Sequence, residues 1–276
     1  MNIDLIFDPL FRLPFLTGLL LAVWLPVLGL YLRLRGEWLA VLGMAQLASA
    51  GALGGAVLGL PAVAGGASAG LLAALAKWGL KRPSDSAYAA MLLLGWSAAV
   101  AVMSNHPLAE QAAGAVFDGQ LYFTGGGHLA ASAAVLGIGV LVLVRAHRAM
   151  LRARVHPALG PPDAATRLAF DLVAGASVGV AILSLGVMAS FALAFVPAWR
   201  VFGTAPSWRS ALWRAIVIGL VAYVLGFVVA LLFDQPFGPA GVVAVLLVAR
   251  LAPPWRQRAD RRAGALSAGG EIGKLD

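Results

Sequence analysis

The chain has 276 residues, 61% of them hydrophobic and 12% charged, with a mean hydropathy of +0.89. A soluble domain carries about 25% charged residues, so a water-exposed globular fold is excluded, and the absence of cysteine excludes disulfides, thiolate metal sites and cysteine nucleophiles. The formal charge of +8 sits in short intervals beside long apolar runs, where membrane topology places it, so no nucleic-acid partner is expected.

In chain order, MNIDLIFDPLFR has acidic residues where a signal peptide has basic ones, and Leu13 onward reads as a retained helix. Runs of about 18 or more apolar residues read as transmembrane helices, because only a helix satisfies its own amides in lipid. The first span is Leu13–Leu34, interrupted by Pro26; the second is Trp38–Leu60; a third, short one begins at Pro61 and continues to about Ala76. Gly51, Gly55 and Gly59, then Gly66 and Gly70, recur every four residues. Such small-residue faces bring helix backbones together, within a subunit or between subunits. The fourth span is Ser86–Ser104 and the fifth Gly127–Val144, separated by an interval, Asn105–Gly126, with Glu110 and Asp118 and no Lys or Arg.

The loop Arg145–Arg167 is expected to be a short helix ended by HPALGPP, forming either a knob for another protein or a positive anchor. Leu172–Trp199 carries no charge and exceeds one span of about 20 residues, so two halves hinged near Ser184–Gly186 are expected. Ala215–Phe233 and Phe237–Ala249, joined by DQPFGP, complete the set. The expectation is an all-α, polytopic transmembrane bundle of nine segments, with eight as the alternative. Residues 1–250 are expected to form one transmembrane domain, and 251–276 a polar, flexible cytoplasmic tail. With the N-terminus outside, every Lys and Arg except Arg12 lies on the cytoplasmic side.

Enzymatic signatures are missing: the sequence has no HExxH, GxSxG, Walker loop or zinc-type Cys/His spacing. An intramembrane enzyme is therefore disfavoured, and no cofactor is expected. His106 and His128 flank the external interval, whereas His147 and His156 lie in the basic loop. Polar groups at membrane depth are costly and therefore informative. They are Gln46, Ser49, Ser68, Ser97, Ser132, Ser177, Ser184 and Ser190, with Asp234 at a helix end. Asp234 reads either as an interfacial turn residue or as a cation contact at a pathway mouth. A stand-alone secondary transporter would place ionisable residues near mid-membrane, where this chain has almost none.

Three segments resemble the permease subunits of bacterial ABC importers for zinc, manganese and iron. Asp234-Gln-Pro-Phe-Gly-Pro-Ala-Gly-Val-Val resembles the closing Asp-x-Pro-x-Gly turn and last helix of that family. Gly186-Val-Met-Ala-Ser-Phe-Ala-Leu-Ala-Phe-Val-Pro197-Ala198 resembles its Gly-Ala-Leu-(x)n-Ile-Pro-Ala helix. Met103-Ser104-Asn105 and Phe117-Asp118-Gly119-Gln120-Leu121 resemble the end of its fourth span and the Phe-Gly-Asp-Leu segment beyond. The resemblance is collinear from about Pro14 to Leu251. It implies a dimerising permease of the bacterial inner membrane, paired with a second copy and seated on ABC ATPase subunits. Substrate would come from a periplasmic or lipid-anchored binding protein. It further implies a translocation path with Asp234, Gln46, Ser190 and Asp118, Asp234 being the metal contact. The coupling loop would contain Arg152, Arg154, His156, Pro157 and Gly160, and the gate Gly186 and Pro197. The sequence departs from the family where the second span usually carries an Asp and a Ser-His-Ala motif. Here Gly43-Met-Ala-Gln-Leu-Ala-Ser-Ala-Gly-Ala-Leu-Gly54 has neither histidine nor aspartate. A divalent cation in a sparse path is the first expectation, zinc or manganese leading; a chelated metal or small organic solute is the alternative.

Overall fold

The structure, a computed structural model, describes residues 9–79, 84–119 and 121–252. Lys81, Arg82, Gln120 and the expected tail from residue 253 onward lie outside the described residues. Among the described residues, ten α-helices follow one another: α1 (Arg12–Leu34), α2 (Ala40–Val57), α3 (Ala62–Gly79), α4 (Asp85–Asn105), α5 (Pro107–Phe117), α6 (Gly126–Val155), α7 (Ala164–Leu185), α8 (Val187–Val201), α9 (Trp208–Leu232) and α10 (Phe237–Leu251). Among the described residues, α1, α2, α4, α6, α7 and α9 are long and apolar enough to cross a membrane, whereas α8 and α10 are shorter apolar helices. The nine expected segments correspond in order to α1–α4 and α6–α10.

Three local expectations change. The external interval is not a plain loop, because Pro107 at the first helical position and the alanine-rich AEQAAGAV run build α5, which packs on α2 and α7. No separate short helix follows the fifth span: α6 runs unbroken for 30 residues to Val155. RAHRAMLRARV contains nothing to stop a helix, and the break comes only at His156-Pro157, where a 3-10 turn (Pro157–Leu159) begins. Lys77, expected beside the third span, lies inside α3 and is buried.

The uncharged run after Leu172 is split at Gly186, whose φ of +84° ends α7 and starts α8. The core forms where α1, α2, α7 and α8 meet, with Trp24, Leu25, Leu28, Phe170 and Ile182 buried in it. Trp24 Nε1 donates to Ser177 Oγ (2.8 Å), which in turn donates to the Val173 carbonyl, fixing α1 against α7. The glycine faces are intramolecular. Gly51 and Gly55 face Ala69 and Gly65 of α3, while Gly66 and Gly70 face the backbone of Gly179 and Gly175 in α7. Gly59 is instead the positive-φ residue of the α2–α3 turn.

Helix direction alternates so that Arg33, Arg35, Lys77, Arg152, Arg154, Arg167, Arg200, Arg209 and Arg250 share one end of the bundle. Contacts across that end bear this out: Arg35 reaches Asp171 of α7, Tyr31 of α1 bonds His147 of α6, and Arg200 of α8 donates to Ala249 and Ala252 at the end of α10. By the positive-inside rule this end is cytoplasmic.

Candidate functional site

On the opposite, outer side, the three segments singled out in the sequence come together. Asp118 caps the C-terminus of α5, and its carbonyl accepts a hydrogen bond from the Gly238 N–H at the start of α10 (3.0 Å). A Cβ on Gly186 would stand 2.8 Å from the Asp118 carbonyl carbon, the Gly119 nitrogen and the Phe117 oxygen. Gly119 has a φ of +83° and presses on Leu185 and Gly186 from the other side. The α5 exit, the α7–α8 break and the α10 entry are thus one junction made of backbone, with no room for side chains at Gly186 or Gly238.

Asp234 lies on the same side, in the turn between α9 and α10. It is the one non-glycine residue with positive φ (+50°) among the described residues, and it is exposed. The Gln235 N–H donates back to the Ala230 carbonyl (2.9 Å), closing the C-terminus of α9. Nearby, Tyr122 donates to the Phe227 carbonyl (3.3 Å). Burial, and then the negative charge of Asp234, push its phenol above the usual range, so it stays a neutral donor. The Asp118 side chain is exposed, like that of Asp234. His106 and His128 stand at the start of α5 and in the first turn of α6, and no cluster of three or more His, Asp or Glu side chains suited to a metal occurs among the described residues.

At membrane depth, Gln46 of α2 and Ser190 of α8 are buried, and their Oε1 and Oγ atoms have no hydrogen-bond partner among the described residues. The backbone of Gln46 is pressed by Gly95 of α4, so this side chain is held on a tightly packed stretch of helix. Ser49, Ser68, Ser177 and Ser184 instead return their hydroxyls to their own helices, and Ser132 is buried with an unpartnered Oγ. Farther along α8, Pro197 is buried within the helix. It withholds the N–H that the Leu193 carbonyl would accept.

At the cytoplasmic end, Arg152 and Arg154 lie in the last turn of α6. His156 caps it, Pro157 starts the 3-10 turn, and Gly160 (φ +77°) ends it. Arg152, Arg154, His156 and Pro157 are exposed, as are the apolar side chains of Val155 and Leu159. The chain then enters α7, capped by Asp163, whose carboxylate accepts from the Thr166 N–H and hydroxyl (3.0 and 2.7 Å). These bonds hold the Asp163 carboxyl below its ordinary pKa.

Beneath this segment lies a four-membered ion network. Lys77 Nζ reaches Asp171 Oδ1 (2.5 Å) and Glu37 Oε2 (2.8 Å). Arg35 reaches Asp171 Oδ1 (3.0 Å) and Glu37 Oε2 (2.9 Å). Lys77 and Asp171 are 1% and 4% exposed at the side chain. The Arg35 guanidinium also lies over the Phe170 ring, 5.0 Å from its centre. A cavity of about 550 Å³ is lined by this network together with Arg154, Pro157, Gly160 and Arg167.

The profile of the ABC-3 family, described as the ABC 3 transport family, matches residues 8–253. The chain belongs to the ABC 3 transport family. It is therefore a metal ABC transporter permease, a multi-pass protein of the bacterial inner membrane and a transport subunit. Comparison with curated proteins finds no match. Among solved structures, this ABC 3 permease is similar to PsaBC from Streptococcus pneumoniae in complex with Fab. The two are 19% identical over 92% of this chain and 95% of that chain, with a TM-score of 0.76. At that identity the likeness shows a shared fold.

The permease therefore separates its sequence-expected residues by depth. Asp118, Gly186 and Asp234 lie at the outer junction, Gln46 and Ser190 within the bundle, and Arg152 to Gly160 at the inner end. The ion network had no place in the sequence reading. The signals available were an aspartate enclosed by Phe170 and Leu172, and a lysine enclosed by Ala76 and Trp78.

Proposed function

We propose that this permease carries a divalent metal cation, zinc or manganese first, across the inner membrane. A separate ABC ATPase would drive it, and a periplasmic or lipid-anchored binding protein would deliver the cation. Two copies of the chain flank the path. The arrangement that carries this reading is a polar series from one face to the other within a single ABC 3 bundle. Asp118 and Asp234 are exposed outside, Gln46 and Ser190 offer unpartnered oxygens at depth, and an exposed basic segment stands inside. Asp234 is the metal contact at the mouth. Carboxylate and amide oxygens are hard donors that hold a transition metal more weakly than imidazole or thiolate. The cation therefore exchanges quickly through the path instead of residing in it.

Coupling is assigned to Arg152, Arg154, His156, Pro157 and Gly160, which project from the end of α6 toward the cytoplasm. Closure of the ATPase pushes this segment, and α7 and α8 respond about Gly186 and Pro197, the gate. The exposed Val155 and Leu159 give an ATPase an apolar surface to grip. The lack of a three-residue ligand cluster among the described residues favours one second reading, a chelated metal or small organic solute in the same ABC frame.

The test is affinity purification of the tagged chain in mild detergent, with identification of co-purifying proteins and elemental mass spectrometry. An ABC ATPase together with zinc or manganese supports the reading. An ATPase without metal supports the second cargo, and no ATPase removes the proposed coupling.

A further inference from the structure

The Arg35–Glu37–Lys77–Asp171 network lies where the coupling segment meets the bundle. Its two cations and two anions cancel and close a ring through contacts of 2.5 to 3.0 Å. Taking such charges out of water is costly, and apolar side chains of similar volume generally stabilise a buried position as well or better. What an ion ring supplies, and an apolar cluster does not, is a directional link between fixed points. The points here are the C-terminal end of α1, the turn before α2, α3 and α7.

Two further observations give that link a direction. The network and the coupling segment line the same cavity, the network together with Arg154, Pro157, Gly160, Pro161 and Pro162. A displacement of the segment into this space bears on the network, which helps to line it. Helix α7 then starts directly behind the segment at Ala164 and carries Asp171 about two turns in. It lies backbone against backbone on α3 at Gly175–Gly70 and Gly179–Gly66, and it ends at Gly186 inside the outer junction. One helix of 22 residues, about 33 Å at 1.5 Å per residue, spans from coupling segment to outer junction. Lys77 fastens α3 to it at the inner end, where the glycine contacts stop.

We infer that Lys77 and Asp171, supported by Arg35 and Glu37, are positioning residues that make α3 and α7 move as one body when the coupling segment is pushed. This assignment rests on the coupling role proposed for Arg152 to Gly160. The network itself touches neither cargo nor nucleotide; it converts a push at the cytoplasmic surface into a movement at Gly186.

The experiment uses the permease assembled with its ATPase and binding protein in proteoliposomes, with ATP hydrolysis and metal uptake measured together. The Lys77→Met/Asp171→Leu double variant removes both charges and keeps the volume. Glu37→Gln, isosteric and at the partly exposed rim of the network, covers the case in which the double variant does not assemble. The expected result is assembled complexes that hydrolyse ATP but import less metal per ATP. The ratio falls about tenfold for the double variant, within the usual range of coupling between sites, and less for Glu37→Gln. A structural role alone would lower yield and thermal stability and leave that ratio untouched. A wild-type ratio in both variants, or in Glu37→Gln when the double variant does not assemble, overturns the assignment. Absence of ATP-driven uptake by the wild-type complex removes the importer reading and this assignment with it. Normal wild-type uptake with unchanged variants removes this assignment alone.

Discussion

The two ends of this permease are held by different means. At the outer junction, three chain segments meet through glycines and backbone: Gly119 and Gly186 against each other, and the Gly238 N–H on the Asp118 carbonyl. At the inner end, four charged side chains from distant parts of the chain meet over an open cavity. A junction of backbone has one fit and tolerates no added atom. A ring of side chains can be rebuilt with other side chains, provided that no charge is left alone. The outer end is held by the fit of backbone on backbone, and the inner end by a charge-balanced link between α3 and α7.

The contrast breaks most visibly if one partner of the ring is removed. Lys77→Met leaves the buried Asp171 to share one cation with the half-buried Glu37, and uncompensated buried charge costs about 3–5 kcal/mol. The thermal unfolding midpoint in detergent should fall accordingly, whereas in Lys77→Met/Asp171→Leu most of the loss should be recovered. Equal losses in single and double variants would mean that the ring is not a charge-balanced unit. At the outer junction no such compensation exists. Gly186→Ala must place a Cβ 2.8 Å from three backbone atoms at a φ of +84°, with an expected loss of about 3 kcal/mol by the same measurement. A wild-type midpoint would show that the junction yields.

The smallest expected effect concerns the start of α7. The Asp163 carboxyl is held below its ordinary pKa, chiefly by the Thr166 hydroxyl and N–H. A depressed carboxyl contributes stability above its unfolded-state pKa and loses it as pH falls through the lower, folded value. The first turn of α7 should therefore begin to loosen below about pH 4, read as faster amide hydrogen exchange at Thr166 and Arg167. In Asp163→Ala the same amides should exchange fast at neutral pH, with no further step on acidification. Protection that persists in that variant would show that the cap is not needed.

These differences also explain what could be read from the sequence. The apolar runs gave nine segments, and the structure has a helix for each, because lipid leaves the backbone no other arrangement. The Phe117-to-Leu121, Gly186-to-Ala198 and Asp234-to-Gly238 segments stood out through their resemblance to the permease family, and the backbone junction is the physical reason for glycine at 119, 186 and 238. The ring was not visible, since residues 35, 37, 77 and 171 each sit at the edge of an apolar run, where a charge ordinarily faces water or headgroups. Only the return of α3 and α7 to the end of α1 brings them together. Helix α5 was read as part of a loop because eleven residues cannot span a bilayer, although Pro107 marks its start.

The measurement that bears most directly on the account is ATP-driven uptake of zinc and manganese into proteoliposomes holding this chain with its ATPase and binding protein. The account predicts accumulation of at least one of the two that requires all three components, and a large loss in Asp234→Ala with normal assembly. ATP hydrolysis without accumulation of either metal, in a complex that imports an organic solute or chelate, would contradict the proposed divalent cargo.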